Sequence, residues 1–360
     1  MKPIKIAMLS MTHGHTRKYF QTLKENPNLK WIAVSADNEE VRERFERANH
    51  QVPCYMSESE MFDTHPEIEA VIIASANSEH LRQVEECAKR KIDILSMKIP
   101  SFDPAQYQKM IEVTEKADVV FHIELELHYN SVVQRLKKIV KSGTIGKILS
   151  FQATNITLSP VWAFPWQGIP EQSYGSRVKL KENSSRFRGG ALCDHPHVFD
   201  MIRWITGSDF DYVYAATATN LRPELEVEDM LLVNGKMKDG TVFLFDPSWS
   251  RMEERLKEPG PGWEVFPKRM EVNISICGEK GVLVCDCFGP NVYHNGAPND
   301  RYTVQYTYFD EWIGMMDEFV DCVRNRKKPQ INLRWHEQTI KVMNACYDSI
   351  STGKPVFFEI

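Results

Sequence analysis

Between residues 189 and 207 the chain reads Gly-Gly-Ala-Leu-Cys-Asp-His-Pro-His-Val-Phe-Asp-Met-Ile-Arg-Trp-Ile-Thr-Gly. A carboxylate and two imidazoles, Asp194, His195 and His197, crowd into this run. A carboxylate beside a histidine can hold the ring charged or orient its tautomer, which suits proton transfer near neutral pH. Gly189 and Gly190 let a ligand approach the backbone. Pro196 suits a first helical position, Asp194 stands where it can cap free amides, and Gly207 is a stop signal. Val198, Phe199, Met201, Ile202 and Ile205 supply an apolar face, and His197, Asp200 and Arg203 share the other side. The same letters also describe an ordinary capped helix with solvated histidines, so the rest of the chain must decide.

A second reactive group is Lys98. It follows the apolar run 92–96, which predicts a buried strand, and at that strand's carboxyl end the amine points into a crevice. There it can hydrogen-bond a substrate hydroxyl and lower that hydroxyl's pKa. The loop Ser10-Met-Thr12-His13-Gly14-His15 follows the first strand. Its single glycine makes a weak phosphate fingerprint, yet small Ser10 and Thr12 permit close backbone approach, and free amides at a helix start can bind phosphate. Asp37, ending the second strand, can grip a ribose diol and favour NAD over its 2′-phosphorylated form, or equally cap the helix from Asn38. Asn77 can likewise cap a helix or meet a cofactor ribose. Residues 156–188 form an aromatic, proline-rich insertion. Trp162 and Trp166, with Arg188 further on, can stack on and bind a sugar, or the loop can be pinned on its own aromatics or on another subunit.

The elements that must position these groups alternate. Apolar runs at 4–10, 29–36, 67–74, 92–96 and 119–123 are separated by helical patterns, which predicts a doubly wound parallel sheet covered on both faces, with ligands at the carboxyl ends of its strands. A helix over 128–142 leads into strands at 147–155, 212–218, 230–236, 240–247, 270–277 and 281–287. Helices over 309–326 and 334–352 and a last strand at 356–360 complete the chain. The expected fold class is α/β, with the parallel sheet in a domain over 1–125 and an α+β domain over 126–360 built on a large, mainly antiparallel open sheet. A chain of 360 residues that is 42% hydrophobic can fill both cores. The net charge of −5 without a basic run argues against nucleic acid or anionic membrane as partners. No signal peptide or membrane-length apolar stretch is read, and the eight cysteines are scattered without zinc or redox spacing, so a cytoplasmic location with reduced thiols is expected.

Taken in order, Asn77-Ser-Glu-His80, Lys98, Ser142-Gly-Thr-Ile-Gly146, Gly189-Gly-Ala-Leu-Cys-Asp194, Arg203-Trp204 and Gly353-Lys-Pro-Val356 resemble the motifs of the Gfo/Idh/MocA family, over nearly the whole chain. The resemblance implies an N-terminal Rossmann-type domain, NAD or NADP as cofactor, a sugar, cyclitol or related polyol as substrate, and a homodimer or homotetramer. It assigns catalysis to Lys98, Asp194 and His197: the histidine removes a hydroxyl proton, the lysine polarises the oxygen, and the aspartate orients or balances the site. His197 lies three residues after Asp194 where relatives place it four after, which leaves His195 as a rival base. The resemblance places Asn77 and His80 in the cofactor motif. Glu126 and His128 stand where relatives carry Asn and Arg, and are expected to face substrate. The usual Glu-Lys-Pro is here Met97-Lys98-Ile99, and most glycines of the first loop are replaced. His13, His15, His195, His197 and Asp194 could build a metal site if their loops converge, but the family chemistry requires no metal. Two other readings are a glycosidase or lyase that uses bound NAD in a transient oxidation–elimination–reduction cycle, and a sugar-binding relative without catalysis.

Overall fold

The structure is a computed structural model that describes residues 2–48, 51–157, 179–250, 270–288, 291–296, 301–305 and 310–359. The chain divides into two units. The first takes Met1–Leu125 and Trp312–Glu337; the second takes the bulk of the remainder, ending in Gln338–Ile360.

In the first unit, strands β1 (Ile4–Leu9), β2 (Leu29–Ser35), β3 (Cys54–Tyr55), β4 (Ala70–Ile73), β5 (Asp93–Ser96) and β6 (Phe121–Ile123) form one sheet in the order β3-β2-β1-β4-β5-β6. Every pairing is parallel. β4 and β5 are buried at every position, as strands covered on both faces must be. The crossovers carry α1 (Thr16–Glu25), α2 (Glu39–Arg47), α3 (Glu58–Thr64), α4 (Asn77–Arg90) and α5 (Pro104–Ala117). Strand order reverses between β1 and β4, so the loops after those strands flank the crevice where such sheets bind ligands. α3 and β3 escape the sequence reading because each is short and lacks a clear apolar period.

In the second unit a turn at Glu126–Tyr129 and α6 (Ser131–Lys141) lead into β7 (Ile148–Thr157). The short α7 (Ala191–Asp194) and α8 (His197–Thr206) precede β8 (Phe210–Thr217), β9 (Leu231–Met237), β10 (Val242–Asp246), β11 (Met270–Gly278), β12 (Gly281–Asp286), β13 (Asn291–Gly296) and β14 (Arg301–Gln305). Further along the chain come α9 (Glu311–Asn325), which falls in the first unit from Trp312 on, α10 (Leu333–Thr352), which passes from the first unit into the second after Glu337, and β15 (Val356–Phe357). The nine-stranded sheet runs β14-β13-β12-β11-β7-β10-β9-β8-β15 and is antiparallel except for the β7/β10 pair. β13 and β14 are further strands that the sequence reading passes over. α8 packs on α6 and β7, with Phe199 edge-on to Phe245 at 5.0 Å between ring centres.

One assignment needs correcting. Residues 312–337, read from sequence as part of the second domain, belong to the first unit. The Ile123 amide donates to the Ile331 carbonyl at 3.1 Å, and Arg326 donates to both oxygens of buried Asp93 at 3.0 and 2.7 Å. Among the described residues no helix is long and apolar enough to cross a membrane. All eight cysteines are free thiols.

Candidate active site

The loop after β1 is held by Asp37. Ser10 adopts φ +68°, the left-handed conformation that the first glycine of a phosphate loop normally takes. One oxygen of Asp37, Oδ2, accepts from Ser10 Oγ at 2.5 Å, from Thr12 Oγ1 at 2.7 Å and from the Met11 amide at 3.3 Å. Asp37 is not the helix cap: α2 is capped by Asn38, whose side chain accepts from the Val41 amide at 2.9 Å. The other oxygen, Oδ1, has no partner among the described residues, so it can still receive a ribose diol. The amides of Ser10, Thr12, His13 and His15 also have internal acceptors: Ser35 Oγ, Ser10 Oγ, the Ala74 carbonyl and His13 Nδ1. Gly14 presents a bare backbone at the same place. A strand, a tight left-handed turn, a helix start beside Gly14 and an acceptor at the end of β2 suit a dinucleotide.

At the end of β5, Lys98 is buried, and its peptide bond to Ile99 is cis. Asn77 Nδ2 donates to the Ile99 carbonyl. His80 Nδ1 lies 2.9 Å from the Pro100 carbonyl and its Nε2 lies 3.1 Å from that of Ser75. Burial pushes the His80 pKa down against the pull of these carbonyls. Both side chains therefore hold the segment that carries Lys98. Asn77 does not cap α4, whose N-cap is Ala76.

Sequence reasoning missed Glu124. It follows β6 at the carboxyl edge and is wholly buried; its Oε1 is 2.6 Å from His15 Nδ1, and its Oε2 accepts from Tyr19 OH at 2.8 Å. An acid directly after the last parallel strand was the available signal.

In the second unit the Gly189-Gly190 run is bound from below by a buried acid. Glu228 accepts from the amides of Gly190 at 3.3 Å and Leu192 at 3.1 Å and from Tyr347 OH at 2.8 Å. The Ala191 amide donates to the Glu228 carbonyl at 2.9 Å, and a Cβ on Gly190 would sit 2.0 Å from that oxygen, so only glycine fits. Burial pushes the Glu228 pKa up to about 7, against these donors. Sequence reasoning passed over Glu228 and Trp249, which belong to strand ends distant in the chain.

The loop then delivers Asp194, which is not a helix cap as expected: α8 starts from Pro196 without a side-chain cap. Instead the Trp249 indole donates to Asp194 Oδ2 at 2.9 Å. His195 Nδ1 donates to the Pro247 carbonyl at 2.6 Å, which places its Nε2 toward Asp194 Oδ2 at 3.5 Å. His197 Nε2 is 3.7 Å from Glu126 Oε1. Both histidines are 4% exposed, so they are not the solvated side chains of a plain helix. α8 ends at Gly207 with φ +72°, as its stop signal requires.

His128 is wholly buried, with Nε2 2.5 Å from Asp200 Oδ2, while Asp200 Oδ1 accepts from Thr339 at 3.1 Å. Expected to face substrate, its ring instead anchors α8. Arg188 likewise gives Nη2 to Asp348 at 2.9 Å and lies over the Tyr347 ring. Trp162 and Trp166 lie outside the described residues. Among the described residues no group of three His, Cys, Asp or Glu side chains could hold a metal ion.

Residues 5–125 match the model of an oxidoreductase family with an NAD-binding Rossmann fold, and residues 133–284 match the GFO/IDH/MocA C-terminal domain. The chain is 26% identical over 276 residues to myo-inositol 2-dehydrogenase of Thermotoga maritima, covering 74% of this chain and 73% of that protein. It is 24% identical over 230 residues to 2,7-anhydro-N-acetylneuraminate hydratase of Mediterraneibacter gnavus, covering 62% and 53%. Its fold superimposes on that of an oxidoreductase from Agrobacterium radiobacter in complex with NAD+, L-tartaric acid and magnesium, with a TM-score of 0.81, 17% identity and coverage of 99% and 98%. A parallel sheet with a dinucleotide loop, followed by a sheet domain that matches this family's own second domain, establishes the chain as a member of the Gfo/Idh/MocA family of NAD-binding oxidoreductases.

Proposed function

We propose that the protein oxidises a secondary hydroxyl of a cyclitol, sugar or related polyol with NAD or NADP. When bound, the nicotinamide supplies the hydride acceptor. His197 takes the hydroxyl proton, and Glu126 beside it balances the charge the ring gains. Lys98 hydrogen-bonds the reacting oxygen and supports the negative charge that must build there before hydride leaves. Asp194, aimed by Trp249, orients the substrate and His195. Asp37 Oδ1 receives the ribose diol, and its charge would repel a 2′-phosphate, which favours NAD.

The observation that carries this reading is the pair of buried imidazole–carboxylate contacts, Asp194 with His195 and Glu126 with His197, on and beside the glycine-softened loop. The test is NADH formation by purified protein with NAD+ and a panel that starts with myo-inositol. Lys98→Ala and His197→Ala should each lower kcat by about 10²–10⁴-fold, the usual worth of acid–base catalysis. No turnover with any polyol would refute the proposal, and loss confined to His195→Ala would move the base to His195.

The second imidazole–carboxylate pair favours one further reading. Removing one hydroxyl proton needs one base, and His195 with Asp194 offers another for a proton on a neighbouring carbon. The relative named as a hydratase fits such chemistry. Under this reading an anhydro or glycosidic bond is broken without net formation of NADH, which separates it from the first.

A further inference from the structure

We infer that His15, charged against the buried carboxylate of Glu124, grips the diphosphate of the bound dinucleotide in this chain. The inference rests on the dinucleotide-binding reading of the first unit. A phosphate loop usually binds its ligand through unpaired backbone amides and carries a third glycine that lets helix and strand pack closely. Here five amides between Ser10 and His15 already have internal acceptors, and one of those acceptors is the carboxylate of Asp37. The backbone cradle is reduced to Gly14, with a negative charge beside it. Something cationic must compensate if a doubly charged diphosphate is to sit there.

His15 is placed to do so. It immediately precedes α1 at the carboxyl edge of the sheet. Its ring is clamped edge-on between His13, at 4.8 Å between ring centres, and Trp312, at 5.2 Å. Its Nδ1 donates to Glu124 Oε1 at 2.6 Å. Glu124 is 0% exposed, and a carboxylate so buried is retained only with a charge or donors to satisfy it; Tyr19 OH gives one donor and His15 the other. The imidazole itself is 26% exposed. Glu124 thus acts from within as a positioning residue for a ring that is partly exposed at the carboxyl edge of the sheet. Nε2–H is the atom that would donate to a phosphate oxygen, a charge-assisted bond stronger than one from a neutral amide.

The test uses full-length protein without added coenzyme and two probes: NADH, followed by its own fluorescence, and ADP-ribose, followed by calorimetry. ADP-ribose keeps the diphosphate and lacks nicotinamide. His15→Gly restores the family glycine, His15→Lys keeps a cation, and Glu124→Gln keeps an acceptor for Tyr19 while removing the charge. His15→Gly should raise the Kd for both probes about tenfold or more, the loss of one charge-assisted bond, while His15→Lys stays within about threefold of the native protein. Glu124→Gln should fall between them. Thermal unfolding without ligand shows whether each variant is folded. His15→Gly binding as tightly as the native protein, or His15→Lys binding as weakly as His15→Gly, would overturn the inference. Failure of the native chain to bind either probe would instead bring down the coenzyme reading, and this inference with it.

Discussion

Asp194 takes its direction from an indole, and the loop that carries it takes its shape from a buried acid. Trp249 fixes one oxygen of Asp194, while Glu228 receives the amides of Gly190 and Leu192 just upstream. The price of that support is a charge held out of water. Glu228 has its folded pKa raised from the ordinary glutamate value to about 7, with burial as the cause. Between those values the folded chain keeps a proton that the unfolded chain has lost. Its contribution to stability is therefore full at acidic pH, declines as pH rises toward 7 and is constant above it. Relative to Glu228→Gln, the native protein should lose on the order of 3 kcal/mol from this group between about pH 4.5 and pH 8. Urea unfolding of both proteins across that range measures it, and parallel pH profiles would refute it. Asp194, His195 and His197 stand out in the sequence because a carboxylate and two imidazoles crowd into one short run. Glu228, Trp249 and Glu124 could not be found so readily, since each meets its partner across a long stretch of chain, where spacing carries no signal.

The elements were legible where burial imposes a period. β4 announces itself as an unbroken apolar run, β5 as a short, mostly apolar one, and α8 as an apolar stripe ended by Gly207. The caps were harder, because Asp, Asn and Ser are interchangeable on paper. Asn38 caps α2 while its neighbour Asp37 turns to the loop after β1, and α8 has no side-chain cap. Asn130 shows how much one cap can join. Its Oδ1 accepts from the amides of Val132 and Val133 at the start of α6, at 3.0 and 3.3 Å, and its Nδ2 donates to the Cys287 carbonyl just after β12, at 2.8 Å. Asn130→Ala should cost about 2–4 kcal/mol, a lost cap plus a buried carbonyl left without its donor. Asn130→Asp keeps the cap and loses the donor, so it should fall between the two in chemical denaturation. Equal stability of all three would refute this account.

At the scale of the molecule, the chain returns to its first unit late: Trp312–Glu337 closes the parallel sheet's unit far along the sequence. No periodicity reveals such a return, since a helix reads the same whichever core it joins. The consequence is that coenzyme binding tests residues from both ends of the chain. NADH at about 100 times its Kd should stabilise the native protein by about 2.7 kcal/mol, visible as a rise in Tm that grows with coenzyme concentration. A Tm independent of NADH would refute binding to the folded state. The divided duty of Asp37 reaches furthest. One of its oxygens braces Ser10, Met11 and Thr12, and the other is the one proposed to receive the ribose. Under the proposed ribose contact, coenzyme preference and the architecture of the turn are written in the same side chain. A lineage drifting toward the phosphorylated coenzyme could not do so in one step: discarding this acid would also release two hydroxyls and an amide, and the turn would need rebuilding, with glycines restored, before the new cofactor gained a foothold.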